Sequence, residues 1–455
     1  MGPLFRDLIS EERLVAPTVD VRMAKHVSVN LNVRGLPQSA TLAINELSRE
    51  LQRQGKPIYR LGLGQSPFPV PTPVVNALKL YAREKDYLPV KGLRALRGAV
   101  ATFHREKDLV EASPESVLVG PGSKELMFLL QLVFYGDIII PTPCWVSYTP
   151  QSRILGRKVH LIHTNYEGKW RMTAELLEAH CAGERDAFKP RILVLNYPGN
   201  PEGREYSESD LKDLAEVARR YEMIILSDEI YGQLNFDGSH VSIARHYPEQ
   251  TIISSGLSKW CGAGGWRLGT FTFPEELTWL MDGMAAVASE TYTSVSTPIQ
   301  YAAVRAFRGG IAIERYLWHA RRILRALGTW CAGRLAKAGV GVHPPEGGFY
   351  LFLDFSSLAD RLSTRGITTS ETLCEKLLEE TGVAILPGFV FERPREELTA
   401  RLAYVDFDGS SALAASETIP LDEPLQDDFI HQQCSDVITA VEKIAEWLGT
   451  DEPPC

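Results

Sequence analysis

SSGLSKWCGAGGWRLGT occupies residues 254–270. An apolar run, TII (251–253), leads into it; Lys259, three glycines (Gly262, Gly264, Gly265), a tryptophan and Arg267 follow. Glycine-rich backbone can come close to a ligand and turn several N–H groups toward an anion. The lysine and the arginine add positive charge. In isolation the stretch reads equally well as a solvated turn with two surface cations, so its meaning depends on what surrounds it.

Working outward, short apolar runs recur at SVLVG (116–120), DIIIP (137–141), KVHLI (158–162), ILVLNY (192–197), MIILSD (223–228), TIISSG (251–256) and GTFTF (269–273). Helical patterns such as KELMFLLQLVFY (124–135) and SDLKDLAEVARRY (209–221) lie between some of them. Runs that are apolar throughout, alternating with helices, predict a mostly parallel seven-stranded sheet covered by helices on both faces. A second, smaller α+β unit follows. Its predicted elements are a long helix at about 311–339, strands at FYLFLDF (349–355), VAILPG (383–388) and RLAYVDF (401–407), and a last helix near 428–448. The expected divisions are an arm and helix over 1–60, a large domain over 61–305 and a small domain over 306–455. ATLAINELSRELQRQGK (40–56) reads as an amphipathic helix with Ser39 as its cap and Gly55 at its end. Residues 1–38 read as an irregular arm, and GSSALAASETIPLDEPLQDD (409–428) as an excursion without a clear period.

Composition narrows the function. The 455 residues exceed one ordinary core, and 44% hydrophobic with 23% charged residues is ordinary for a globular protein. No apolar run approaches the ~20 residues of a membrane span. MGPLFRDLISEERL carries acidic residues and no apolar segment of the secretory kind, and Arg6 stands where a myristoylation signal needs Ser or Thr. A net charge of −9 disfavours nucleic acid. Seven scattered cysteines without a CxxC pair point to reduced thiols and a cytoplasmic protein. His160 and His163 are three apart on a predicted strand, so they face opposite sides and make a poor metal pair; no metal is expected.

In open α/β sheets ligands bind beyond the C-terminal ends of the strands, and several loops there are chemically unusual. GPGSKEL (120–126) opens a helix and offers free N–H groups to an anion. PTPCWVSY (141–148) carries Trp145 and Tyr148, NYPGNPEG (196–203) carries Asn200, and SDEIY (227–231) carries Asp228 and Tyr231.

These loops, in this order, resemble the class I/II aminotransferases, a fold-type I family that uses pyridoxal 5′-phosphate. LSKWCGAGGWRLG resembles the family's Ser-Lys…Gly-Trp-Arg-x-Gly segment. NYPGNPEG resembles Asn-x-Pro-x-Asn-Pro-x-Gly, with Glu202 where threonine is commonest. SDEIY resembles Asp-Glu-x-Tyr, and YLPVKGLRALR (87–97) resembles Tyr-x₄-Gly-x₃-Leu-Arg. The likeness runs from about Leu61 to Tyr404. It implies a ping-pong transfer of an amino group from an L-amino acid to a 2-oxo acid.

The resemblance also implies roles. Lys259 is the Schiff-base lysine and general base, Asp228 the partner of the pyridine nitrogen, and Tyr231 and Asn200 the donors to the phenolic oxygen. Trp145 stacks on the ring. Gly122, Ser123 and Lys124 hold the phosphate through backbone N–H groups, together with Arg267 and a serine. The family's usual serine position is Gly256 here, so Ser255 or Ser258 must serve. Arg401 and the Gly64 backbone take the substrate α-carboxylate. Tyr87 reaches the phosphate of a neighbouring subunit, which makes a homodimer with shared sites, and SVST (294–297) lies where that neighbour often adds a hydroxyl. Glu229 is expected at the surface, because alternation points it away from Asp228.

Other readings are weaker. Gly262, Gly264 and Gly265 approximate a dinucleotide loop, but Arg267 stands at its third glycine. Transcriptional regulators with this fold need a further basic N-terminal domain, for which the arm is too short. Decarboxylation, elimination, cyclisation or oxidation on the same cofactor remains the alternative chemistry. No second arginine can be placed opposite Arg401, so an acidic donor is not favoured; Trp145, Tyr148 and Tyr292 suit an apolar or aromatic one.

Overall fold

A two-residue strand, β1 (Tyr59–Arg60), precedes the seven strands that form where the apolar runs lie. These are β2 (Val117–Gly120), β3 (Asp137–Thr142), β4 (Val159–His163), β5 (Arg191–Asn196), β6 (Ile224–Asp228), β7 (Thr251–Gly256) and β8 (Gly269–Thr272). The protein is known here from a computed structural model that describes residues 29–183 and 189–449. Residues 1–28, most of the expected arm, lie outside the described residues. The seven strands make one sheet in the order β2-β8-β7-β6-β5-β3-β4. Only β8 runs antiparallel to its neighbours.

The continuous apolar character of these strands has a direct cause. On β5, Ile192 and Val194 join one core with Leu126, Leu130 and Met284, while Leu193 and Leu195 join another with Leu211 and Leu214 on the opposite face. The helices Ser123–Val133 and Thr278–Thr291 cover the first face, and Glu208–Arg220 covers the second. Each fully buried aliphatic side chain contributes roughly 1.5–3 kcal/mol, so a polar group at Leu193 or Val194 would dislodge the strand from its place between the helices.

Downstream, the helix Ile311–Lys337 leads to an antiparallel sheet of β9 (Tyr350–Asp354), β11 (Leu386–Pro387) and β12 (Thr399–Ala403), while β10 (Val383–Ala384) pairs with β1. Two expectations change here. Residues 409–428 hold a helix, Gly409–Glu417, capped by the Asp408 carboxylate accepting from the N–H groups of Ser410 and Ser411. Its buried residues are Gly409, Ala412 and Ser416, with Ser416 bonded to His319 at 2.8 Å, so its period is written in small residues that hydropathy does not register. The last helix is two, Asp427–Gln433 and Ser435–Trp447. Among the described residues no helix is long and apolar enough to cross a membrane.

Candidate active site

Parallel strands that end together bring their following loops together. Asn196 is in register with Asp228, and Asp228 with Ser254. Next to these strand ends lies a cavity of about 530 Å³. On its wall, Asp228 accepts hydrogen bonds from the Tyr148 hydroxyl at 2.6 Å and the Ser254 hydroxyl at 3.1 Å. Burial pushes its carboxyl up to about 6, and those two donors only partly offset the cost. Asn196 fixes the strand end by donating to the Asp228 carbonyl (2.8 Å) and accepting from the Asn200 N–H (2.8 Å).

Three cations share the same cavity: Lys124, Lys259 and Arg267. Lys259 donates to the Gly64 carbonyl at 2.8 Å, Arg267 donates to the Gly264 carbonyl at 2.8 Å, and the Lys124 ammonium lies 5.0 Å over the Trp145 ring. Among the described residues none of the three has a carboxylate at ion-pair distance. Burial, then Arg267 and Lys259, hold the Lys124 amine below its ordinary value. The helix Ser123–Val133 begins here, so its first N–H groups have no partner within the helix. Gly122 must be glycine: its φ is +95°, and a Cβ would stand 2.1 Å from the Arg267 guanidinium. Positive charge and free N–H groups therefore converge where an anion would sit. A larger cleft of about 690 Å³ beside Phe103 and Phe307 offers no such imbalance, because its Lys107 pairs with Glu314 at 2.8 Å.

On another side of the cavity lies Arg401, on β12 and only 1% exposed. It donates to the Asn200 side-chain oxygen at 2.9 Å and to the Gly62 carbonyl, while its Nε has no partner. Its guanidinium is held between the rings of Tyr350 (4.7 Å) and Phe391 (4.9 Å). Burial lowers its pKa, with Tyr350 and Tyr231 working the other way. Tyr231 and Tyr350 share a hydrogen bond of 2.8 Å between their hydroxyls.

Most of the expected residues meet in this cavity: Gly64, Ser123, Lys124 and Trp145; Asn200, Asp228 and Tyr231; Ser258, Lys259, Arg267 and Arg401. Three expectations do not hold as stated. Ser255 lies on β7, buried and off the lining, so Ser258 is the serine that reaches the cavity. The Gly122 N–H is already spent on the Gly120 carbonyl at 2.7 Å, which leaves Ser123 and Lys124. Tyr87, by contrast, is expected at the site of a second copy; it is 88% exposed and does not line its own chain's cavity. Glu229 is buried rather than at the surface. Alternation does turn it away from Asp228, but residues 240–242 cover that side, and Ser227, His240 and Ser242 donate to it at 2.7, 3.0 and 2.6 Å.

Sequence reasoning assigned no role to Tyr350, Asn196, Ser254, Thr41, Leu42 and Leu63, all but Ser254 on the cavity lining. The signal for Asn196 was its place at a strand end. Nothing local marked Tyr350, which reads as one more apolar residue of a buried strand. Tyr148 is committed to Asp228 and Tyr292 is absent from the lining, so neither forms the expected apolar wall.

Comparison with known proteins agrees with this geometry. Residues 56–404 match the family model described as aminotransferase class I and II. The chain is 31% identical to the aspartate aminotransferase of Bacillus sp. (strain YM-2), covering 82% of this chain and 93% of that one. It is 30% identical to the asparagine–oxo-acid transaminase of Streptococcus mutans, covering 81% and 92%. The solved aspartate aminotransferase of Thermus thermophilus with maleate superposes with a TM-score of 0.77 at 28% identity, over 92% of this chain and 99% of that one. The chain belongs to the class I and II aminotransferases.

Proposed function

We propose that this aminotransferase works with pyridoxal 5′-phosphate held in the 530 Å³ cavity, moving an amino group between an L-amino acid and a 2-oxo acid in two half-reactions. The observation that carries the reading is the charge pattern. Among the described residues, the buried Asp228 carboxylate has no cation at ion-pair distance, and it shares one cavity with three cations that have no carboxylate at that distance. A group with a protonatable ring nitrogen and a phosphate satisfies both.

In this reading Asp228 faces the ring nitrogen, Trp145 lies on the ring, and Tyr231 and Asn200 donate to the phenolic oxygen. The Asn200 carbonyl oxygen is taken by Arg401, so its amide hydrogens are the ones left to donate. The N–H groups of Ser123 and Lys124, with Ser258 and Arg267, hold the phosphate. When bound, the cofactor supplies an electron sink that makes an amino acid's α-proton removable. Lys259 holds the cofactor covalently and then moves the proton at the substrate Cα. Arg401, with its unpartnered Nε, orients the α-carboxylate, together with the backbone of Gly64 on the same cavity.

The donor class follows from Lys124. Two carboxylates need two cations, and the Lys124 ammonium supplies the second without a second arginine. An acidic donor therefore suits this cavity better than the apolar one expected from sequence. Tyr87, 88% exposed, acts on the site of a second copy, so the enzyme is a homodimer; a protein that scatters light as a monomer yet is fully active contradicts this. The six described cysteines are free and buried, which supports a cytoplasmic location; recovery from the secreted fraction contradicts it.

Reduction of the loaded protein with borohydride, followed by peptide mass mapping, tests the central assignment. The cofactor mass is expected on Lys259. Lys259→Ala should lose both the linkage and, by at least about a thousandfold, the activity. Attachment to any other lysine sinks the assignment.

A further inference from the structure

Tyr350 opens β9, is 1% exposed and is the residue on which two parts of the cavity meet. Its hydroxyl is 2.8 Å from that of Tyr231, and its ring face is 4.7 Å from the Arg401 guanidinium. Gly64 comes so close that a Cβ there would stand 1.9 Å from the Tyr350 oxygen. The charged groups around this pair are Arg401 over the Tyr350 ring, Lys259 at 5.5 Å from the Tyr231 ring, and Asp228, whose carboxylate acts on Tyr231.

Two facing hydroxyls carry two protons, and their mutual hydrogen bond uses one. The other must point out of the pair. In the cofactor reading the phenolic oxygen takes the Tyr231 proton, which leaves the bond between the two hydroxyls to the Tyr350 proton. With the cofactor bound, Tyr350 then donates and Tyr231 accepts. A hydroxyl that accepts one bond also donates a stronger one, because each bond polarises the next.

We propose that Tyr350 is a positioning residue of the aminotransfer site: its hydroxyl donates to Tyr231 and commits the Tyr231 proton to the cofactor's phenolic oxygen, while its ring carries the guanidinium of Arg401. The proposal rests on the cofactor reading above. Tyr350 thus links the group that binds the substrate carboxylate to the group that acts on the cofactor through one side chain.

Two variants of the cofactor-loaded enzyme separate the two halves. Tyr350→Phe keeps the ring and loses the hydroxyl. Donation to the phenolic oxygen weakens, so the pH midpoint of the bound cofactor's visible absorbance should rise by about half to one unit. Its dissociation constant for the non-reactive dicarboxylate maleate should stay within about twofold. Tyr350→Leu removes the ring as well, and maleate should then bind about fivefold more weakly, with Phe391 still under the guanidinium. A Tyr350→Phe enzyme that titrates at the wild-type pH overturns the relay. Equal maleate affinity in wild type and folded Tyr350→Leu overturns the platform. Should wild-type protein fail to take up pyridoxal phosphate at all, the cofactor reading falls, and that result is distinguishable from either.

Discussion

Asp228 and Glu229 are neighbours at the end of β6, 4% and 6% exposed, and their surroundings drive them in opposite directions. Asp228 faces the cavity with two hydroxyl donors, and burial raises its pKa to about 6. Glu229 faces away. Burial would raise it too, but bonds from His240, Ser242 and Ser227 outweigh that and hold it below the ordinary carboxylate range. His240 in turn lies between Glu205 and Glu229 at 3.0 Å each, and the two carboxylates overcome burial and raise its pKa well above the ordinary imidazole value. A carboxylate satisfied by its own protein serves the fold. One left short of positive charge at the edge of a cavity is poised for a cation brought by something else, and the pair shows the difference within two residues.

Swapping each acid for its amide should separate the two roles. Asp228→Asn removes the preference for a protonated ring, which an adjacent carboxylate sets at ~1–3 pKa units. Turnover should fall about ten- to thousandfold while the loaded protein still folds and binds cofactor. A near-normal rate would mean that Asp228 does not face the ring nitrogen.

Stability should move the other way. In the cofactor-free protein the folded Asp228 carboxyl, at about 6, holds its proton more tightly than the unfolded one near 3.8. The stability it contributes is therefore present below about pH 4 and lost as the pH rises through 6, by up to about 3 kcal/mol. Urea midpoints for wild type and Asp228→Asn should converge near pH 4, and the variant should be the more stable at pH 7. Parallel curves would contradict the burial argument. Glu229 has the opposite sign, its contribution being present above the ordinary carboxylate range and lost as the pH falls. Glu229→Gln should cost about 1.5–3 kcal/mol at pH 7, from weakened charge-assisted bonds, with kcat little changed. A large loss of kcat in folded Glu229→Gln would erase the distinction between the two acids.

Much of this was legible because the informative features are local. Seven apolar runs read as strands because both faces of the sheet are covered, and the loops at their ends carry residue types that stand out from turn chemistry. Lys259, Asp228 and Asn200 were singled out there through the resemblance of those loops to the aminotransferase motifs, and Arg401, on β12, through that resemblance alone. The features that stayed hidden depend on what another segment places opposite. Glu229 looked like a surface acid until residues 240–242 lay against it. Tyr350 looked like core until Tyr231 and Arg401 met it from elements more than a hundred and about fifty residues away in sequence. The helix Gly409–Glu417 escaped notice because its buried side chains are as small as its exposed ones.

The most direct measurement mixes the loaded enzyme with aspartate and no 2-oxo acid, and counts product per site. Aminotransfer keeps the amino group on the enzyme after the first half-reaction. One equivalent of 2-oxo acid should appear with loss of the cofactor's yellow colour; the reaction should then stop until an acceptor restores the colour. Sustained product formation with no acceptor present would contradict the account, since only a reaction that returns the enzyme to its starting state each turn can do that.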